Sequence, residues 1–191
     1  MLKQARAFAS LAGAAARFFA EPSQARAGVV RERLRSCRSA AFGAGAGGAG
    51  ARPGGAGAGR EDAIRVSRHL SEAAFQAAKA VEECLLFGVN AGRPMAAAVE
   101  PLRDAAKSLD DSVRTLRKGG KERCVDFLVS AKRQAQQAAR AADAGAAEAL
   151  EIPNTVESIK FRETFSRLSR AADEAHQAAD RLGEMAAADN D

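Results

Sequence analysis

Between positions 95 and 116 the residues Met95, Val99, Leu102, Ala106, Leu109, Val113 and Leu116 recur alternately four and three positions apart. That spacing lays one apolar seam along a helix and has no counterpart on a strand, so it predicts a helix that buries a single stripe against its neighbours. The same period returns in Val66, Leu70, Ala73, Ala77, Val81 and Cys84, in Cys124, Phe127, Ala131, Ala135, Ala138, Ala142 and Ala149, and in Phe161, Phe165, Leu168, Ala172, Ala175, Ala179 and Leu182. Alanine supplies many of these inward positions, and it has the best helix propensity. With no Trp, no Tyr and nine Phe, the core is thin per residue, so the helices must approach closely. No segment alternates as a half-buried strand does. The fold class expected is all-α, an antiparallel helix bundle.

Six helices can be drawn in one domain of 191 residues. The first, about 3–20, carries Phe8, Leu11, Ala15 and Phe18 inward and stops at Pro22. The second, about 23–41, carries Val30, Leu34, Cys37 and Ala41, with Arg31, Arg33, Arg35 and Arg38 over its remaining surface. A Gly- and Ala-rich stretch, 43–59, has eight Gly or Pro between Gly47 and Gly59, and so much backbone entropy predicts a flexible surface loop. Helices follow at 61–87, 94–118, 121–150 and 155–188. Pro94 suits a helix start, Pro101 predicts a kink or a second start, Gly119-Gly120 a stop, and Pro153-Asn154-Thr155 the approach to the last helix. Short links from the third helix onward predict that sequence neighbours pack antiparallel. A shift of 98 residues superposes Leu11 on Leu109, Phe18 on Leu116, Val30 on Leu128, Leu70 on Leu168 and Cys84 on Leu182, which reads as two copies of a three-helix unit.

The net charge of +5 is unevenly spread: residues 1–60 hold ten Lys or Arg against Glu21 and Glu32, whereas residues 61–191 hold nineteen against twenty-two acids. The basic first sixty residues suit anionic partners such as a membrane surface or phosphates, and Arg31, Arg33, Arg35 and Arg38 are the candidate contacts. The segment 1–27 is also composed like an organellar transit peptide, but its helical spacing of Phe8, Leu11, Ala15 and Phe18 favours a first bundle helix. Cys37, Cys84 and Cys124 form no CxxC, which predicts reduced thiols and a cytoplasmic protein, peripheral to the membrane at most, with organellar import the alternative. No stretch approaches the ~20 apolar residues of a span.

Chemistry-bearing patterns are few. Asp173, His176 and Asp180 stand three and four apart on one helix face and are the candidate metal ligands. The facing helix offers Lys132, Arg133, Gln134, Gln136 and Gln137 in place of further ligands, so a solvated face is the favoured reading and no cofactor is expected. Ser71, Ser108, Ser130 and Ser166 have no base at a useful spacing, no GxSxG occurs, and the glycine run lacks GxxxxGK[ST]. Basic residues without interleaved aromatics make a poor nucleic-acid surface, so no nucleic-acid partner is expected. These absences predict a protein that is not an enzyme.

The run Ile159-Lys160-Phe161-Arg162-Glu163, followed by Phe165, Leu168 and Ala171-Ala172-Asp173, resembles the last helix of PhoU-like phosphate-transport accessory proteins, and Arg60-Glu61-Asp62 is similar to the start of their third helix. The resemblance covers about residues 60–186, and 1–41 only by helix placement. It implies tandem three-helix units and a cytoplasmic regulator acting through protein contact with a membrane phosphate permease, self-association being a further expectation. Relatives bind metal clusters through acids four apart; here that pattern has decayed, with Lys132 to Gln136, Ser71 and Phe75, and Gln177 after Asp173. It also implies an eroded first unit, its second helix cut short by the glycine run. The alternative reading is an amphipathic scaffold comparable to granule-coating phasins; a metal-dependent bundle enzyme is a remote third.

Overall fold

The computed structural model describes residues 1–46, 57–89 and 92–188. They form six helices, α1 (Leu2–Ala20), α2 (Gln24–Ala46), α3 (Gly57–Phe87), α4 (Gly92–Leu116), α5 (Lys121–Glu148) and α6 (Thr155–Ala188), with a short 3-10 turn at Ala149–Glu151 and no strand among the described residues. The protein is an all-α helix bundle. Ser23 Oγ accepts from the Arg26 amide at 3.2 Å in the first turn of α2, and Asn154 Oδ1 accepts from the Val156 and Glu157 amides at 3.0 and 3.2 Å at the start of α6. Each relieves donors that a helix N-terminus leaves unpaired.

The glycine-rich stretch is helical at both its ends. α2 continues to Ala46 and α3 already begins at Gly57, so both helices run into it; the rest of the expected loop, 47–56, lies outside the described residues, as do the side chains of Ala41 and Arg60. Alanines interleaved with the glycines supply enough propensity to extend helices already anchored by packing. Nor is the first unit eroded: Ala27, Val30, Leu34 and Cys37 of α2 are all buried. Pro101 neither starts nor ends a helix, since α4 runs through it. The carbonyl deprived of its donor belongs to Ala97, an exposed residue, so water can satisfy it.

Packing is organised by two three-helix units. Within the first, α1, α2 and α3 touch pairwise; within the second, α4, α5 and α6 do. The units meet through α1 on α4 and α3 on α6. Among the described residues the consecutive helices α3 and α4 share no contact despite their short link, contrary to the expectation that every neighbour in that stretch packs together. Side chains set the directions. Lys160 Nζ reaches the Phe87 carbonyl at 3.1 Å, Arg167 pairs with Glu83 at 3.1 Å and His69 with Glu174 at 2.7 Å, so α3 and α6 are antiparallel. Ser169 donates to Asp143 at 2.9 Å and Lys132 pairs with Asp180 at 2.5 Å, so α5 and α6 are too.

The 98-residue repeat aligns the buried seam of α3 with that of α6, and one stripe of α1 with that of α4. Val66, Leu70, Ala73, Ala77, Val81 and Cys84 are buried in α3, and their counterparts Thr164, Leu168, Ala171, Ala175, Ala179 and Leu182 are buried in α6. Gln4, Phe8, Leu11 and Ala15 of α1 match buried Leu102, Ala106, Leu109 and Val113 of α4. Polar contacts obey it as well: the His69 to Glu174 pair maps onto the Arg167 to Gln76 contact, 3.4 Å, when the units are exchanged. Equivalent helices pairing antiparallel is the geometry of a pseudo-twofold axis.

Candidate functional site

α6 brings Asp173, His176 and Asp180 to one face, but α5 claims the Asp180 carboxylate. One oxygen of Asp180 takes the Lys132 ammonium at 2.5 Å and the other lies 3.4 Å from His176 Nε2. An ammonium from α5 therefore sits where a cation would have to bind. Burial, with the nearby Asp143 carboxylate, pushes the Asp173 carboxyl above its ordinary range, so it holds its proton more tightly than a free aspartate. Among the described residues no three His, Cys, Asp or Glu side chains converge as metal ligands.

The four arginines of α2 are all exposed, but they do not form one surface. Arg38 stands over the Phe75 ring at 5.8 Å, which Lys79 also approaches at 5.9 Å. Arg31 lines a cleft with Gln24, Glu82, Leu85 and Leu86. Both face α3. Arg33 turns the other way, toward α1, and Arg35, one turn on from Arg31, follows the α3 side by helical spacing.

Cys37, Cys84 and Cys124 are all buried and free. Burial pushes Cys37 and Cys84 up to about 11 and raises Cys124 as well, so at neutral pH these thiols are poor nucleophiles and act as core side chains. Cys84 Sγ also donates to the Val89 carbonyl at 3.2 Å, closing the end of α3. Gly88, with φ of +66°, makes that turn possible.

The segment 159–163 divides by face. Lys160 holds the end of α3, Phe161 packs half-buried on the core, and Glu163 pairs with Arg167 at 3.0 Å. Ile159 is left 59% exposed. It has company: Leu86, Leu150 and Val156 are 79, 62 and 61% exposed, and all lie where α3 ends, α5 gives way to its 3-10 turn and α6 begins. Val29, in the first turns of α2, adds to the same end. Leu86, Leu150 and Val156 fall off the buried seams, so the periodicity does not mark them. Their signal was that a large apolar residue off the seam has no core to enter. No described helix is long and apolar enough to cross a membrane. No family model, curated protein or solved structure matches the chain.

Proposed function

We propose that the protein is a non-catalytic accessory or regulatory partner of inorganic phosphate transport, PhoU-like in organisation, acting by contact with a membrane phosphate permease. The observation that carries the reading is the bundle end where Ile159, within the segment that resembles the family, stands exposed, as do Val156, Leu150 and Leu86 at the same end. Large aliphatic side chains left open at one end of a bundle are candidates for contact with a partner. The two three-helix units related by a pseudo-twofold axis agree with the same reading. The alternative scaffold function calls for a continuous apolar stripe along a helix. The exposed large aliphatics of α5 are only Val125 and Val129, at its other end.

Affinity capture of the tagged chain from detergent-solubilised membranes tests the proposal. A phosphate permease should be recovered with the wild type and depleted with Leu86→Asp/Ile159→Asp, whose exposed positions leave folding intact. Recovery of no permease, or equal recovery with the variant, would overturn it.

A further inference from the structure

Between α1 and α2 runs an open groove of about 440 Å³ lined by Lys3, Arg6, Ser10, Arg33, Ser36 and Ser39, with Ala7 and Ala40 at its floor. Three cations and three hydroxyls meet there without one carboxylate. None of the three cations has an ion pair with a described residue; Arg6 does act at a distance on Asp110, but that carboxylate is already held by Arg114 on its own helix. Where acids stand nearby, basic side chains are matched, as Arg65 is by Glu61, Arg103 by Glu100 and Asp104, and Arg167 by Glu83 and Glu163; in this groove three cations gather with no acid on its walls. Uncompensated like charges repel one another, and an anion relieves them.

The molecule contains its own control. Under the 98-residue repeat the groove positions become Pro101, Asp104, Ser108, Ala131, Gln134 and Gln137. Ser108 Oγ donates to Gln134 Oε1 at 3.0 Å, tying α4 to α5 across the space, and Asp104 there binds Arg103. At the matching positions Ser10 and Ser36 are both short, so no such tie forms. The Ser36 and Ser39 hydroxyls turn back onto the Glu32 and Ser36 carbonyls at 3.3 and 3.0 Å. Those carbonyls lie in the helix ladder, so the hydroxyls are free to turn toward a better acceptor.

We infer that the α1–α2 groove is a binding site for a phosphate-type oxyanion, held by Lys3, Arg6 and Arg33 with Ser10, Ser36 and Ser39 donating around it. The inference is independent of any permease contact. Guanidinium forks match phosphate oxygens bidentately, a lysine adds a point charge, and hydroxyls complete the acceptor's hydrogen bonds. Because the groove is open, attraction depends on ionic strength.

The test uses the full chain with three probes: inorganic phosphate and tripolyphosphate by titration calorimetry, and phosphatidylcholine vesicles with and without phosphatidic acid by co-sedimentation, each at low and at physiological ionic strength. Binding of a soluble probe identifies a free phosphate; binding of phosphatidic acid vesicles alone identifies a lipid headgroup. Either supports the site if Lys3→Gln/Arg6→Gln/Arg33→Gln weakens it by about tenfold or more, the loss expected from removing charge-assisted bonds. Arg162→Gln/Arg170→Gln, in a groove between α5 and α6 that also contains Asp143 and Glu163, should leave binding unchanged. Amide shifts at Ser36 and Ser39 place the ligand even if a variant folds poorly. No binding by any probe, equal binding by the triple variant, or equal loss in the control pair would overturn the inference.

Discussion

In the second half of the molecule Gln134 reaches across to Ser108 and draws α5 onto α4, whereas in the first half Ser36 stands at Gln134's position and Ser10 at that of Ser108, and the space between them is a basic groove. The seam that α3 shares with α6 shows no such divergence. Leu70 and Leu168, Ala77 and Ala175, Cys84 and Leu182 occupy matching buried positions. Burial thus holds the repeat in place at positions where a change costs core packing, while outward positions diverge freely. Function is therefore to be sought where the halves differ.

The largest effect should come from the shared interior. Leu70→Ala and Leu168→Ala each remove a fully buried side chain and should each cost about 2–5 kcal/mol, by denaturant unfolding. A loss at one position and near neutrality at the other would break the equivalence of the halves. Next, Gly145→Ala should cost about 1–3 kcal/mol, because a Cβ there would meet the buried Phe165 ring at 2.4 Å. Gly28→Ala, on an exposed face of α2 with nothing within 4 Å of the new carbon, should instead stabilise by about 0.5–1 kcal/mol. Thermal melts of the two variants should move in opposite directions.

Smaller effects sharpen the contrast between the grooves. Ser108→Ala should cost about 0.5–1.5 kcal/mol by removing the tie across the second groove. Ser36→Gln should restore a tie in the first and reduce its occupancy by phosphate, measured calorimetrically. The smallest effect is a pH dependence at Asp110, where burial raises the carboxyl above its ordinary value of 3.8 despite Arg114. A raised folded value means the native state binds the proton more tightly. Stability from this group is then lost as pH rises through that value, and Asp110→Asn should gain on the wild type as pH increases. A difference that shrinks with rising pH would contradict the assignment.

Much of the architecture was legible because it rests on periodicity. The seam from Met95 to Val113 is buried throughout, with only Leu116 half-buried at the helix end. The repeat, weak as a sequence pattern, became decisive once burial could be compared position by position. Two predicted core residues stay half-buried, Phe127 and Phe161, while Leu128 beside the first and Thr164 one turn on from the second are buried. The absence of contact between α3 and α4 was illegible, because a short link constrains where a helix starts and not which face it meets. The basic groove was partly legible: Lys3, Arg6 and Ser10 lie three and four apart on α1, but which stripe of α2 they oppose depends on packing. The spread of the four α2 arginines over that helix is resolved only by its packing, which puts Arg33 on the opposite side from Arg31 and Arg38.

The central claim is that two three-helix units pair through equivalent helices, so that α3 lies on α6 and not on α4. Cross-linking with a short bismaleimide tests it directly, the buried native thiols staying unreactive in the folded chain. Glu83→Cys with Arg167→Cys should link rapidly, while Glu83→Cys with Arg103→Cys, on helices adjacent in sequence, should not. Efficient linkage of the second pair, or none of the first, would contradict the account.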